Sequence, residues 1–170
     1  MKLNIKGISL LEILISLTIL SIVTAITLPN LGRMLAQDRL DNTISSIYKS
    51  LWLARSYAVA HSTHVTLCPL VSAQCQAQWH NTLHLFKDIN GNLTLDDGEH
   101  IIQVIEKVDE RDQVTYPKNA ITFRPDGSIQ FLQSGSFVYC NYQYDDLLGN
   151  RITVSQVGRI RVRDSDQCAE

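Results

Sequence analysis

The sequence predicts an α+β protein in which a long N-terminal helix packs on an antiparallel β-sheet domain. Three features lead to this prediction: an apolar run near the N-terminus, an amphipathic continuation with three- and four-residue spacing, and short alternating segments separated by turn residues. One helix followed by consecutive strands is typical of the α+β class. The chain has 170 residues, 45% of them hydrophobic, which suffices for one globular domain with its own core.

The first element is the apolar run over residues 8–28, whose only charged residue is Glu12. As a helix it would be about 31 Å long at 1.5 Å per residue, which matches the hydrocarbon core of a bilayer. Lys2 and Lys6 precede it, so we expect the leader to stay in the cytoplasm and everything after the run to be exported. A secretory signal would have a shorter apolar run with a small residue after it, whereas Gly7 lies before the run.

A plain membrane anchor does not explain Glu12. A carboxylate inside such a run costs about 2.5–3.5 kcal/mol near the helix centre and usually marks a function. The segment KGISLLE at residues 6–12 resembles the class III signal of type IV pilins and type II secretion pseudopilins. The resemblance implies that a prepilin peptidase cuts after Gly7 and methylates the new N-terminus at Ile8, where the family more often has Phe.

The same resemblance implies a role for Glu12 in filament assembly, as the fifth residue of the mature chain. Packed among apolar helices, its carboxylate would need a cation, and we expect the terminal amine of a neighbouring subunit. Pro29 matches the helix-kinking proline of the family, and it lacks the amide hydrogen that a continuous helix uses.

The predicted organisation has four parts. A leader peptide covers residues 1–7, a hydrophobic transmembrane and assembly helix 8–28, the amphipathic half of that helix 29–62, and a β-rich globular domain 63–170. In the amphipathic half, an apolar stripe is predicted to face the domain, with its members and neighbours at Leu40, Ile44, Ile47, Tyr48, Leu51, Trp52, Arg55, Ala58 and Val59.

The β-rich part contains runs with strand character between turn signals. Strands are predicted at Val65–Leu70, Leu83–Lys87, Ile101–Ile105, Ala120–Phe123, Ser128–Leu132, Phe137–Tyr142 and two runs within Arg151–Arg163. Turns are predicted at Asn90-Gly91, Asp97-Gly98, Pro125-Asp126-Gly127 and Gly149-Asn150.

The segment FKDINGN at residues 86–92, followed by Asp97-Gly98-Glu99, resembles a hairpin of the GspH/FimT branch of minor pilins. The resemblance implies the type IV pilin fold of that branch. A calcium-binding loop is the alternative for this segment, with ligands at Asp88, Asn90, Asn92, Thr94, Asp96 and Glu99. Because Leu93 stands where such a loop needs glycine, we prefer a hairpin and predict no metal.

The four cysteines form no CxxC pair, and their even number in an exported chain favours two disulfides. Three connectivities are possible. We prefer Cys68–Cys75, which closes a small loop, and Cys140–Cys168, which ties the C-terminal tail to a strand. The alternative is that one pair is reduced and merely buried.

Two stretches of the C-terminal run, residues 151–155 and 159–163, alternate between apolar and basic or polar residues. As strands it would place Ile152, Val154, Ile160 and Val162 on the core and Arg159, Arg161 and Arg163 in water. Arginines on alternate residues would stand about 6.6 Å apart, close to two nucleotide steps of about 3.4 Å, so the row could follow a phosphate backbone.

The segment GRIR at residues 158–161 resembles a C-terminal motif of FimT-type minor pilins. This implies that Gly158 and the arginine row bind double-stranded DNA during natural transformation. The alternative is a structural minor pilin or pseudopilin of FimU or GspH type. It would belong to the tip complex that primes pilus or type II secretion pseudopilus assembly, and it would have no DNA role. The net charge of -2 and the acids Asp164, Asp166 and Glu170 favour that alternative.

No phosphate loop, nucleophile elbow or paired-carboxylate motif occurs in the sequence, so we predict neither an enzyme nor a cofactor. The pilin resemblance implies other pilins, the prepilin peptidase and the inner membrane as partners. It also implies a single-pass precursor with a periplasmic domain that later becomes part of an extracellular pilus.

Overall fold

The computed structural model describes residues 9–144 and 149–165, with side chains described throughout these ranges except at 28–30 and 165. Its first element is helix α1, Leu10–Ala60, which continues without a break across Pro29. The kink expected at Pro29 therefore stays a prediction. The chain divides into two compact units, Met1–Gln37 and Asp38–Glu170. In the first unit, the stretch Leu10–Thr27 is long and apolar enough to cross a membrane.

The second unit begins inside α1, and this part of the helix is amphipathic. Its buried stripe follows the spacing that the sequence predicts, at Leu40, Ile44, Ile47, Leu51, Ala54 and Ala58. Trp52 and Val59, which we expected beside the stripe, are 44% and 51% exposed. Each follows a stripe residue by one position, and the rotation of about 100° per residue turns it away from the core.

Within residues 9–144 and 149–165, nine strands form two antiparallel sheets. The strands are β1 (Val65–Val71), β2 (Gln74–Cys75), β3 (Leu83–Lys87), β4 (Ile101–Ile105), β5 (Asp112–Thr115), β6 (Ile121–Phe123), β7 (Gly135–Asn141), β8 (Gly149–Val154) and β9 (Ile160–Ser165). The first sheet has the order β2-β1-β3-β4, with β6 also paired to β1, and the second has the order β5-β7-β8-β9. The α+β class predicted from the sequence is confirmed.

Helix α1 is tied to both sheets by polar contacts within the second unit. Ser50 donates a hydrogen bond of 2.9 Å to Gln103 of β4, and Arg39 Nε lies 3.1 Å from Asp112 Oδ2 of β5. Asp112 is buried and also accepts a bond from Asn141 of β7. The core side of the second sheet therefore faces the helix, and its other side is the outer face. All residues of the main hydrophobic cluster lie between Leu40 and Ile160.

Two sequence predictions in the β-rich part are wrong, and two strands were not predicted. The run Ser128–Leu132 is not a strand, because only Ile129 forms a bridge, to Phe123, and the chain then turns through Phe131 with φ of 44°. The predicted turn Gly149-Asn150 lies inside β8. The short strands β2 and β5 were not expected, since neither has enough apolar residues for a local signal.

Candidate nucleic-acid interface

The arginine row lies at the outer edge of the second sheet. Among the strands that the structure describes, β9 lies at the edge and pairs only with β8. Arg159, Arg161 and Arg163 are all exposed, while Ile160 between them is 7% exposed. The predicted alternation is therefore present, and it breaks only at Val162, which is 43% exposed because the edge strand leaves one flank uncovered. The row presents three guanidinium groups to solvent.

The register of β8 and β9 places further residues on the outer face. Arg161 is paired with Thr153 and Arg163 with Arg151, and directly paired residues share a face of the sheet. On β7, the next strand inward, Ser136 is paired with Thr153 and Val138 with Arg151, so these residues lie on the outer face too.

Carboxylates are absent from this face among the described strand residues. On the four strands, the side chains described on this face are those of Gln113, Thr115, Ser136, Val138, Cys140, Arg151, Thr153, Arg161 and Arg163. Asp164 follows the row directly, but it has the parity of Val162 and therefore points to the opposite side of the strand. Asp164 therefore does not lie beside the arginines of the outer face, where it could neutralise their charge. Asp166 and Glu170 lie outside the described residues.

Gly158 is buried in the turn before β9, where its role is structural and it offers no surface for a ligand. Its φ is +74°, and a Cβ added there would lie 2.0 Å from the carbonyl oxygen of Gly127. No L side chain fits in this position. The turn is closed by hydrogen bonds from Gly158 N to the carbonyl of Ser155 and from Arg159 N to Ser155 Oγ. Gly158 therefore sets the path of the chain into Arg159.

A further cation lies beside this turn. A Cβ at Gly158 would be 3.2 Å from Arg55 Nε, and one at Gly127 would be 3.1 Å from the same atom. Sequence reasoning assigned Arg55 to the apolar stripe of the helix. Gly127 and Gly158 lie more than 70 residues from Arg55 in the sequence. Only the tertiary structure therefore shows that Arg55 borders the turn before β9.

The loop considered as a calcium site is held by its own hydrogen bonds. Asp88 is fully buried and accepts bonds from Thr66 Oγ1 at 2.7 Å and from the backbone N–H groups of Asn92 and Leu93. The side-chain amides of Asn90 and Asn92 donate to Asp96 and lower the pKa of its carboxyl. Glu99 accepts from the N–H groups of Ile89 and Asp96.

The carboxylate oxygens of that loop thus have donors already. Among the described residues, no group of three His, Cys, Asp or Glu side chains is placed to hold a metal ion. The loop is a polar turn between β3 and β4, and Leu93 takes a φ of 65° where a calcium loop would use glycine.

The other predicted site residues are distributed along the chain. Glu12 lies exposed in the first turn of α1, and Cys68 and Cys75 are joined by a disulfide bond at the β1–β2 hairpin. Gly7 and Ile8 lie outside the described residues. Cys168 does so too, and the pairing Cys140–Cys168 therefore stays a prediction.

The fold has known counterparts in solved structures. The minor pilin FimU of Pseudomonas aeruginosa superposes with a TM-score of 0.61 at 16% identity, covering 78% of this chain and 97% of FimU. A second crystal form of FimU gives 0.57 at 18% identity, with 76% and 99% covered. The minor pseudopilin EpsH of the Vibrio cholerae type 2 secretion system gives 0.53 at 15% identity, with 74% and 97% covered. At these identities the likeness concerns the fold.

The sequence itself matches two families. Residues 2–28 match the prokaryotic N-terminal methylation motif, and residues 43–158 match the type II transport protein GspH. Among curated proteins, none matches the chain in sequence. The apolar helix and the methylation motif indicate a membrane-anchored protein with a soluble domain. The chain therefore belongs to the GspH family of type II transport proteins, and it carries the prokaryotic N-terminal methylation motif.

Proposed function

We propose that this protein is a minor pilin that is processed at Gly7–Ile8, enters a type IV pilus and binds extracellular DNA during natural transformation. Its contacts are Arg159, Arg161 and Arg163. In this proposal the precursor spans the inner membrane once, with its domain in the periplasm, and the prepilin peptidase and other pilins are its assembly partners. Incorporation places the domain outside the cell, where the arginine row meets the phosphate backbone.

The observation that carries the proposal is the outer face of the second sheet. Arg161 and Arg163 stand on alternate residues of the edge strand β9, and Arg159 lies directly before it. All three are exposed, and the described strand residues of that face include no carboxylate. Side chains on alternate strand residues are about 6.6 Å apart, close to twice the nucleotide rise. Contacts to phosphates position a protein without reading sequence, so binding should be independent of DNA sequence.

The test is fluorescence anisotropy of labelled duplex DNA with the full-length protein in a non-ionic detergent. Three phosphate contacts predict a log–log salt slope of about −2.7. Replacing Arg159 and Arg161 with Gln should reduce the magnitude of this slope by about 2. The matched control replaces Lys49 and Lys107, two exposed cations on α1 and beyond β4, with Gln and should keep the wild-type slope. Wild-type protein without affinity for DNA would overturn the proposal.

A purely structural role in a tip complex is the second candidate. It is favoured by Phe131 and Leu132, which are 77% and 83% exposed on a turn, since a pair of large apolar side chains in water usually marks a protein contact. The turn is held in place, because Gln130 N bonds to the Thr122 carbonyl and Gln133 accepts from Tyr116 and Thr122. If the Arg159/Arg161 double variant transforms like wild type while Phe131→Ser prevents piliation, the structural role is the correct one.

A further inference from the structure

Arg151 and Arg163 are directly paired across β8 and β9. Directly opposed side chains in an antiparallel pair have Cβ atoms about 4.5–5.5 Å apart, and two like charges in this position destabilise the sheet. The pair is not relieved by a carboxylate among the described residues of the outer face. The next residue inward on the same row is Val138, which is apolar. The sheet therefore holds two cations side by side, and no described carboxylate on this face neutralises them.

Arg151 is also unsatisfied as a hydrogen-bond donor. It is half-buried, and its Nε is buried without an acceptor in the described part of the chain. A buried donor without a partner costs about 1–3 kcal/mol. No described acceptor fixes the guanidinium group, so the side chain can turn Nε outward without losing a hydrogen bond to the described residues.

The neighbouring row adds uncharged donors. Thr153, opposite Arg161, and Ser136 on β7 lie with their hydroxyl oxygens 2.9 Å apart. Hydroxyl groups of this kind commonly donate to phosphate oxygens beside arginines. The outer face therefore carries hydrogen-bond donors on β8 and β7 as well as on the edge strand β9.

We propose that Arg151 and Arg163 together bind one phosphate group, so that Arg151 is a further contact residue on the strand behind the arginine row. One phosphate neutralises both guanidinium groups and supplies the acceptor that Arg151 Nε lacks. Arginine suits this role because its planar fork bonds two phosphate oxygens at once. The inference rests on the proposed function, and it places the DNA backbone over β8 as well as β9.

The experiment compares Arg151→Gln, Arg151→Lys and wild type in the full-length protein in non-ionic detergent, with labelled duplex DNA as the probe. Arg163 still binds the shared phosphate in Arg151→Gln, so the salt slope of this variant should stay close to the wild-type slope. Its affinity for duplex DNA should be about five-fold lower, as expected for the loss of one hydrogen bond, for all sequences alike. Arg151→Lys keeps the charge but not the planar fork, so its affinity should lie between those of wild type and Arg151→Gln. Without DNA, Arg151→Gln should unfold at or above the wild-type temperature, because it removes a like-charge pair.

A second readout is the Nε–H resonance of Arg151 on addition of duplex DNA. It should shift, while that of Arg39, which is bonded to Asp112 on the core side, should not. Wild-type affinity of Arg151→Gln for DNA, together with a reduced slope for the Arg159/Arg161 variant, would overturn this inference and leave the DNA role standing. Absence of DNA binding by wild type would overturn both.

Discussion

Gly158 lies so close to Gly127 that a Cβ on Gly158 would come within 2.0 Å of the carbonyl oxygen of Gly127. The two residues belong to separate turns, one before β9 and one after β6. Both are glycines with positive φ, so their backbones can approach each other with no side chain between them. This contact fixes the start of the arginine row.

Gly158→Ala should therefore destabilise the domain. The left-handed φ costs an L residue about 1–2 kcal/mol, and the overlap adds about 1–3 kcal/mol, so the free energy of unfolding should fall by about 3 kcal/mol. Gly98→Ala is the matched control, because φ there is +90° and the added Cβ meets nothing within 4 Å. For Gly98→Ala, the free energy of unfolding should fall only by the cost of the left-handed φ, about 1–2 kcal/mol. Urea denaturation measures both, and equal losses would show that the contact with Gly127 does not matter.

Asp88→Ala should destabilise the domain without affecting any metal response. It removes a buried acceptor from Thr66, Asn92 and Leu93, and we expect a loss of about 3 kcal/mol in the free energy of unfolding. Asp97→Ala, at an exposed position of the same loop, should change it by less than about 0.5 kcal/mol. Thermal unfolding of wild type should be the same with calcium and with a chelator. Stabilisation by micromolar calcium would revive the calcium-loop alternative.

Non-reducing peptide mapping of the exported protein should find Cys68 linked to Cys75 and Cys140 linked to Cys168. The first bridge has a sequence separation of 7, and chain entropy gives its removal by Cys75→Ser a cost of about 2.5 kcal/mol. A peptide joining Cys68 to Cys140, or a free thiol, would contradict the pairing.

Processing should remove the leader before Ile8 and leave an N-methylated amine on that residue. Gly7→Asp should leave the full-length precursor in the inner membrane, because the proposed cut follows Gly7. Intact-mass analysis of the protein in sheared filaments checks both the terminus and the methyl group. Filaments that contain chains beginning at Met1 would rule this cleavage site out.

Glu12→Ala should leave cleavage intact and reduce incorporation into filaments. The carboxylate lies in an apolar helix, and its proposed partner is the terminal amine of a neighbouring subunit. Immunoblots of sheared filaments against whole cells measure the incorporated fraction, with Ser16→Ala as a control on the same helix. Equal amounts of variant and wild type in the filaments would argue against the pairing.

Local patterns in the sequence were sufficient for the elements whose periodicity is strong. The strands Leu83–Lys87 and Ile101–Ile105 have the predicted bounds, and the buried stripe from Leu40 to Ala58 has the predicted spacing. The alternation of Ile160 with Arg159 and Arg161 was also readable, because the side-chain period of a strand is two wherever the strand lies. The apolar run and its single Glu12 likewise needed no tertiary information.

Tertiary structure decided what depends on contacts between distant segments. β5 is a strand because it pairs with β7 and because Arg39 compensates the buried Asp112, neither of which its four residues reveal. The apolar run ending at Leu132 remained a turn because Ile129 alone finds a partner strand.

The pairing of Arg151 with Arg163 and the contact of Gly158 with Gly127 also depend on register and on turn packing. Alternation within a strand sets the face on which each side chain lies, and it carries no information about the neighbour across the sheet. The sequence by itself therefore determined the family, the helix and the exposure of the arginine row. Only the fold decided which residues surround that row, since hydrogen-bond register and backbone approach are properties of paired segments rather than of either segment alone.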